Sequence, residues 1–172
     1  MQHHQQPRHP VGLPVLALDP SSTKLGWALL DAGPRYLSSG VVALSTADPS
    51  TRIRYAGDHT RALLESLRPG SVVVEIPNYI TDRANARNLW LYARAVGAVE
   101  YIVQSSGVQA FCRDASEHRG VSNKEACRRF FLETVGRHAT TDDESDALMI
   151  GWTFLINHTP MPWQTSGVAT SF

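Results

Sequence analysis

Asp19, Glu75, Asp143 and Asp146 are the residues through which this chain is equipped to do chemistry. Asp19 ends the apolar run PVLALD and Glu75 ends SVVVE, so each acid stands where a buried strand gives out. Asp143 and Asp146 lie three apart in DDESDALMIGW, a spacing that lets two side chains share one side of a helix. Carboxylates are seldom carried into apolar surroundings without a partner. If these four converge, each ionised pair about 4 Å apart repels by roughly 4 kcal/mol at an effective dielectric of about 20. Something positive must then join them.

Oxygen ligands without a matching set of Cys or His favour Mg²⁺, with Mn²⁺ able to substitute, over zinc. Two such ions about 3.5–4 Å apart can activate water on one side of a phosphodiester and stabilise the leaving oxygen on the other. The chemistry these residues point to is that of a nuclease.

The elements that must position the acids follow from patterning. PVLALD, GWALLD and YLSSGVVAL read as three strands joined by the short, turn-rich SSTKL and AGPR, which favours an antiparallel meander. Ile53, Ala56, His59, Leu63, Leu64 and Leu67 recur near helical spacing, giving a helix from about Ser50 to Leu67 closed by RPG. SVVVE is a fourth strand, apolar throughout as one covered on both faces should be. A helix over Arg83–Ser105, a strand VQAFC, and helices over Asn123–Val135 and Asp143–Asn157 complete the order βββαβαβα. That order implies a mixed five-stranded α/β sheet, three strands antiparallel and the rest parallel, flanked by helices. The body is expected over residues 13–158, with a polar tail at 1–12 and another at 159–172.

The 172 residues form one domain of ordinary size, and Lys+Arg and Asp+Glu both number 16, so net charge announces no nucleic-acid partner. Distribution says more. Arg83, Arg87, Arg94, Arg113, Arg119, Lys124, Arg128, Arg129 and Arg137 crowd the stretch after Glu75. They are either solvated helix faces or a basic margin for a polyanion held over metals. Cys112 and Cys127 fit no zinc spacing, and no signal-peptide core is present; a reduced, cytoplasmic protein is expected. No apolar run approaches the roughly 18 residues that span a bilayer.

LALDPSSTKLGWALLD, VVVEIPNY and DDESDALMIGW, with GVSNKEACRRFF ahead of the last, together resemble the RuvC-type Holliday junction resolvases of the ribonuclease H-like superfamily. The resemblance covers roughly residues 14–157 in order. It implies a ribonuclease H-like fold, two Mg²⁺ ions on Asp19, Glu75, Asp143 and Asp146, and paired nicks with 5′-phosphates in a four-way DNA junction. It also implies a homodimer, whose two-fold axis matches that of the junction; the small and apolar residues of Asn88–Val99 suit the interface. Ser21 stands where family members often carry Gly, which points to a divergent branch such as a bacteriophage one, while IPNY after Glu75 replaces the usual run into a phenylalanine and bears on junction-specific recognition.

Some roles stay open on the residues alone. Asp142 lies four before Asp146 and could share its face as well as Asp143 does; the resemblance, which pairs acids three apart, selects Asp143. Asp142 and Glu144 suit the positive end of a helix dipole in any case. Lys124 is either a surface lysine or, as the resemblance favours, a cation on the scissile phosphate. Tyr79 is either a loop aromatic or a platform for a base at the branch point. With Tyr79, the DNA-contact set is Arg83, Arg87, Arg119, Lys124 and Arg128. Another branched DNA, or an RNA–DNA hybrid, is the rival substrate.

Overall fold

The computed structural model describes residues 11–44, 48–76, 86–114 and 123–158. Three strands open the chain: β1 (Val15–Pro20), β2 (Lys24–Asp31) and β3 (Arg35–Ala43). Next come α1 (Pro49–Leu67), β4 (Ser71–Ile76), α2 (Ala86–Ser105), β5 (Gln109–Asp114), α3 (Lys124–Val135) and α4 (Asp142–His158). The sheet order is β3-β2-β1-β4-β5. β1–β2 and β2–β3 are antiparallel, and β1–β4 and β4–β5 are parallel. This is the mixed sheet the patterning predicts.

β1 and β4 take the centre because their unbroken apolar runs suit cover on both faces. Alternation then sorts their side chains. Val15, Ala17 and Val73 join Ala28 and Leu30 under Phe131 of α3 and Ala147, Leu148, Phe154 and Leu155 of α4. Leu16, Leu18, Val72 and Val74 join Leu25 and Leu29 under Ala56 of α1 and Val99 and Val103 of α2. Asp19 and Glu75, in phase with Ala17 and Val73, therefore belong to the face that α4 covers.

Local signals set the boundaries. α1 starts where the Asp48 carboxylate accepts from Thr51 N–H at 2.7 Å with Pro49 behind it. α3 starts where Asn123 accepts from Ala126 N–H at 2.9 Å, and it ends on Gly136 at φ 79°. β2 begins two residues earlier than GWALLD suggests, because Lys24 and Leu25 pair with Ala43 and Val42 and extend the ladder.

Residues 1–10 and 159–172, most of the two expected tails, lie outside the described residues. Val11 is packed against the core, and Gly12 N–H donates to Gln109 Oε1 at 3.2 Å. Neither cysteine is in a disulfide, and Cys127 is buried while Cys112 is exposed. Among the described residues, no helix is long and apolar enough to cross a membrane.

Candidate active site

The parallel register of β1 and β4 places Leu18 opposite Val74. The next residue on each strand is an acid, so Asp19 and Glu75 stand side by side at the carboxyl ends of the two central strands. Their exposures are only 8% and 2%. Burial pushes the Asp19 carboxyl well above its ordinary range; the charge of Glu75, a hydrogen bond with Glu75, and the charges of Asp146 and Asp143 push it the same way. The two sheet carboxyls are therefore held out of water against each other, and the two helix acids lie within electrostatic reach.

Glycines bring α4 to this point. Gly26 faces Asp19 across the β1–β2 ladder. A Cβ on Gly26 would run into the main chain of Asp143 and lie 2.9 Å from the Asp143 Cβ. Two turns further along, a Cβ on Gly151 would meet Leu30 and come within 3.0 Å of the Ala17 Cβ. The helix lies directly on β2 and β1 because side chains are missing at both contacts.

Each acid in DDESD has its own surroundings. Asp142 turns toward α3, where Arg128 Nε donates to it at 2.7 Å and Lys124 Nζ at 3.3 Å. The Arg128 hydrogen bond, followed by that of Lys124, holds the Asp142 carboxyl below its usual range in spite of partial burial. Asp143 Oδ2 is 3.7 Å from Lys24 Nζ at the start of β2. Glu144 is fully buried and accepts from Arg137 at 2.6 Å, Ser39 Oγ at 2.7 Å and Thr140 N–H at 2.7 Å. Burial alone would raise its carboxyl, but these three donors override that and hold it at about 2. The charges that act on Asp19 from α4 are those of Asp146 and Asp143.

In donor type this set suits a hard divalent cation, since it offers carboxylate oxygens and no thiolate or imidazole. In spacing it is more open: among the described residues, no three Asp, Glu, His or Cys side chains are gathered tightly enough to hold a metal ion. The acids form two halves, Asp19 with Glu75 on the sheet and Asp143 with Asp146 on the helix.

Of the expected DNA contacts, Lys124 and Arg128 sit together on α3 beside Asp142. Tyr79, Arg83 and Arg119 lie outside the described residues, and Arg87 lies on α2 with its side chain outside them. Sequence reasoning missed Lys24 and the Glu144–Arg137–Ser39 cluster. Glu144 reads as one more acid at a helix start, and nothing in the local pattern separates it from Asp142. Lys24 sits in a turn-rich link, and only the strand pairing carries it to Asp143.

No protein-family model matches the chain, and no curated protein matches it. Solved structures do. The fold is ribonuclease H-like, of the kind found in Holliday junction resolvases. Thermus thermophilus RuvC, solved in complex with a Holliday junction substrate, aligns at a TM-score of 0.68 and 21% identity over 82% of this chain and 92% of RuvC. A second structure of T. thermophilus RuvC gives 0.66 and 22% over the same shares. The yeast mitochondrial Holliday junction resolvase Ydc2 gives 0.63 and 10% over 93% of this chain and 86% of Ydc2.

Proposed function

We propose that this protein is a divalent-metal-dependent endonuclease that resolves four-way DNA junctions by hydrolysing one phosphodiester in each of two opposed strands. The observation that carries the reading is the placement of Asp19 beside Glu75 at the ends of adjacent parallel strands, with Asp143 and Asp146 on the helix above them. The same fold serves in RuvC, whose substrate is a Holliday junction.

Asp19, Glu75, Asp143 and Asp146 would hold two Mg²⁺ or Mn²⁺ ions, which supply an activated water on one side of the phosphodiester and charge stabilisation for the departing 3′-oxygen. The chain's own contribution is placement. Asp19 and Glu75 are fixed by β1 and β4 and desolvated by burial, so a cation would meet two carboxyl groups already set side by side. Asp143 and Asp146 would hold the ions from the helix side, where the Asp143 carboxylate already lies 3.7 Å from one cation, the Lys24 ammonium. Lys124 and Arg128, both well exposed on α3, would meet the DNA beside this site, Lys124 at the scissile phosphate and Arg128 at a flanking one. Tyr79, Arg83, Arg87 and Arg119 complete the proposed DNA surface.

Two opposed cuts call for two active sites, and α2 carries the face for a homodimer. Trp90, Ala93, Gly97 and Tyr101 form one exposed stripe along it, with Trp90 55% and Tyr101 69% exposed and open space around Gly97. A two-fold pair of such helices matches the two-fold symmetry of a junction.

The deciding experiment is cleavage of an end-labelled immobile four-way junction with and without Mg²⁺. Linear duplex, fork and RNA–DNA hybrid of equal length serve as competitors. Paired nicks bearing 5′-phosphates, made in the junction and only with the metal, are expected. Metal-independent cutting, or preference for the hybrid, would sink the junction reading.

A further inference from the structure

Glu144 sits between two acids of the active site and faces away from both. At 3.6 residues per turn, its side chain is about 130° around α4 from the line midway between Asp143 and Asp146. That direction leads to β3, not β1. Ser39 of β3 pairs with Ala28 of β2, two residues beyond Gly26, which pairs with Asp19. The first turn of α4 thus lies across the strands, with Glu144 fastened on the outer one, Asp143 over the middle one, and Asp143 and Asp146 within electrostatic reach of Asp19 on the inner one.

The fastening is elaborate for a residue with no part in the metal chemistry. Glu144 is fully buried. One carboxylate oxygen accepts from Ser39 Oγ at 2.7 Å and Arg137 Nη2 at 2.6 Å; the other accepts from Thr140 N–H at 2.7 Å and Arg137 Nη1 at 3.4 Å. Arg137 is itself held, with its guanidinium 5.1 Å from the centre of the Phe131 ring of α3 and Nη1 donating to the His138 carbonyl at 2.9 Å. Strand, helix and the link between α3 and α4 all meet on one carboxylate.

We propose that Glu144 and Arg137 are positioning residues for the metal centre: their ion pair fixes the rotation of the first turn of α4, and so the approach of Asp143 and Asp146 to Asp19 and Glu75. Gly26 offers no side chain to hold the first turn of α4 against rotation about that contact, and a rotation there would carry Asp143 and Asp146 away from the sheet acids together. The Glu144–Arg137–Ser39 cluster blocks that rotation from the opposite side. Supporting contacts of this kind matter to metal sites because they hold the ligands in the binding geometry before the ion arrives.

This inference rests on the metal-centre reading above, and its test separates the two. Mn²⁺ binding to the full chain without DNA is measured by calorimetry, beside single-turnover cleavage of the junction in Mg²⁺, at a temperature where each variant is folded. Glu144→Gln keeps the size and gives up the charge; it is expected to weaken Mn²⁺ binding about ten- to a hundredfold. Phe154→Leu, a core change ten residues along the same helix, is expected to lower the melting temperature without weakening Mn²⁺ binding. Ser39→Ala removes one of the donors and serves where Glu144→Gln does not fold; it is expected to weaken Mn²⁺ binding several-fold. Wild-type Mn²⁺ affinity in a folded Glu144→Gln or Ser39→Ala overturns the proposal, as does an equal loss in Phe154→Leu. Failure of the wild-type protein to bind Mn²⁺ at all sinks the metal-centre reading itself.

Discussion

Gly26 and Asp143 touch backbone to backbone: a single methyl group on Gly26 would collide with the Asp143 main chain and come within 2.9 Å of its Cβ. Gly26 also pairs with Asp19. One glycine therefore sets how closely the helix acids approach the sheet acids. Gly26→Ala should lower stability by about 1–3 kcal/mol, as overpacking does, and should abolish most metal-dependent cleavage. Gly151→Ala, whose added methyl also meets side-chain atoms of Leu30 and Ala17, should lower stability while leaving more of the activity. Urea unfolding and single-turnover cleavage of both variants measure the contrast; equal losses of rate would deny Gly26 its special place.

Asp146→Asn should stop cleavage while leaving junction affinity within a few-fold of wild type, because a metal ligand is lost and not a phosphate contact. Cleavage gels and gel-shift titrations in Ca²⁺ provide the comparison. Cutting at a near wild-type rate would remove Asp146 from the centre.

Calcium should support junction binding but little turnover. Ca²⁺ accepts loose, variable coordination, whereas Mg²⁺ requires near-octahedral geometry at shorter distances. Brisk cleavage in Ca²⁺ alone, or full activity in excess chelator, would contradict the two-ion reading.

Lys124 and Arg128 share Asp142 as a counter-ion, so changes on the two sides of that cluster should have opposite signs. Lys124→Ala should slow cleavage by about 10²–10³ if its ammonium meets the charge developing at the phosphate. Asp142→Asn should free both cations and raise DNA affinity several-fold at low salt, an effect that fades as salt rises. Salt-dependent binding and single-turnover rates, measured side by side, read both. An unchanged rate in Lys124→Ala with a salt slope shallower by about one unit would return Lys124 to the general basic surface.

Glu144 should give the protein an acid-sensitive limb. Its folded-state carboxyl is held at about 2, below the usual 4.5. The stability it contributes is therefore fully present above about pH 4.5 and lost as pH falls toward 2. A displacement of that size corresponds to at most roughly 3 kcal/mol, and water around half-exposed Arg137 lowers the figure. Urea unfolding between pH 7 and 2.5 should show a shallower acid decline in Glu144→Gln than in wild type. Parallel curves would mean that Glu144 does not titrate in this way.

The architecture was legible along the chain because each of its determinants is local. PVLALD and SVVVE are apolar without interruption and so claim the sheet centre, and the short SSTKL and AGPR links allow only antiparallel pairing. The RPG after Leu67 marks a helix end by backbone chemistry alone. The same locality made Asp19 and Glu75 conspicuous as acids closing buried strands.

The chemistry within DDESD was not legible in that way. Four of its five residues are carboxylates, and helical spacing allows several pairings among them. Their partners decide the roles, and those partners are distant in sequence: Lys24 for Asp143, Lys124 and Arg128 for Asp142, Ser39 and Arg137 for Glu144. A carboxylate takes its character from the charges and donors around it and from the water it has lost. Those surroundings exist only once β3, the α3–α4 link and the glycine-floored β2 have closed around the helix.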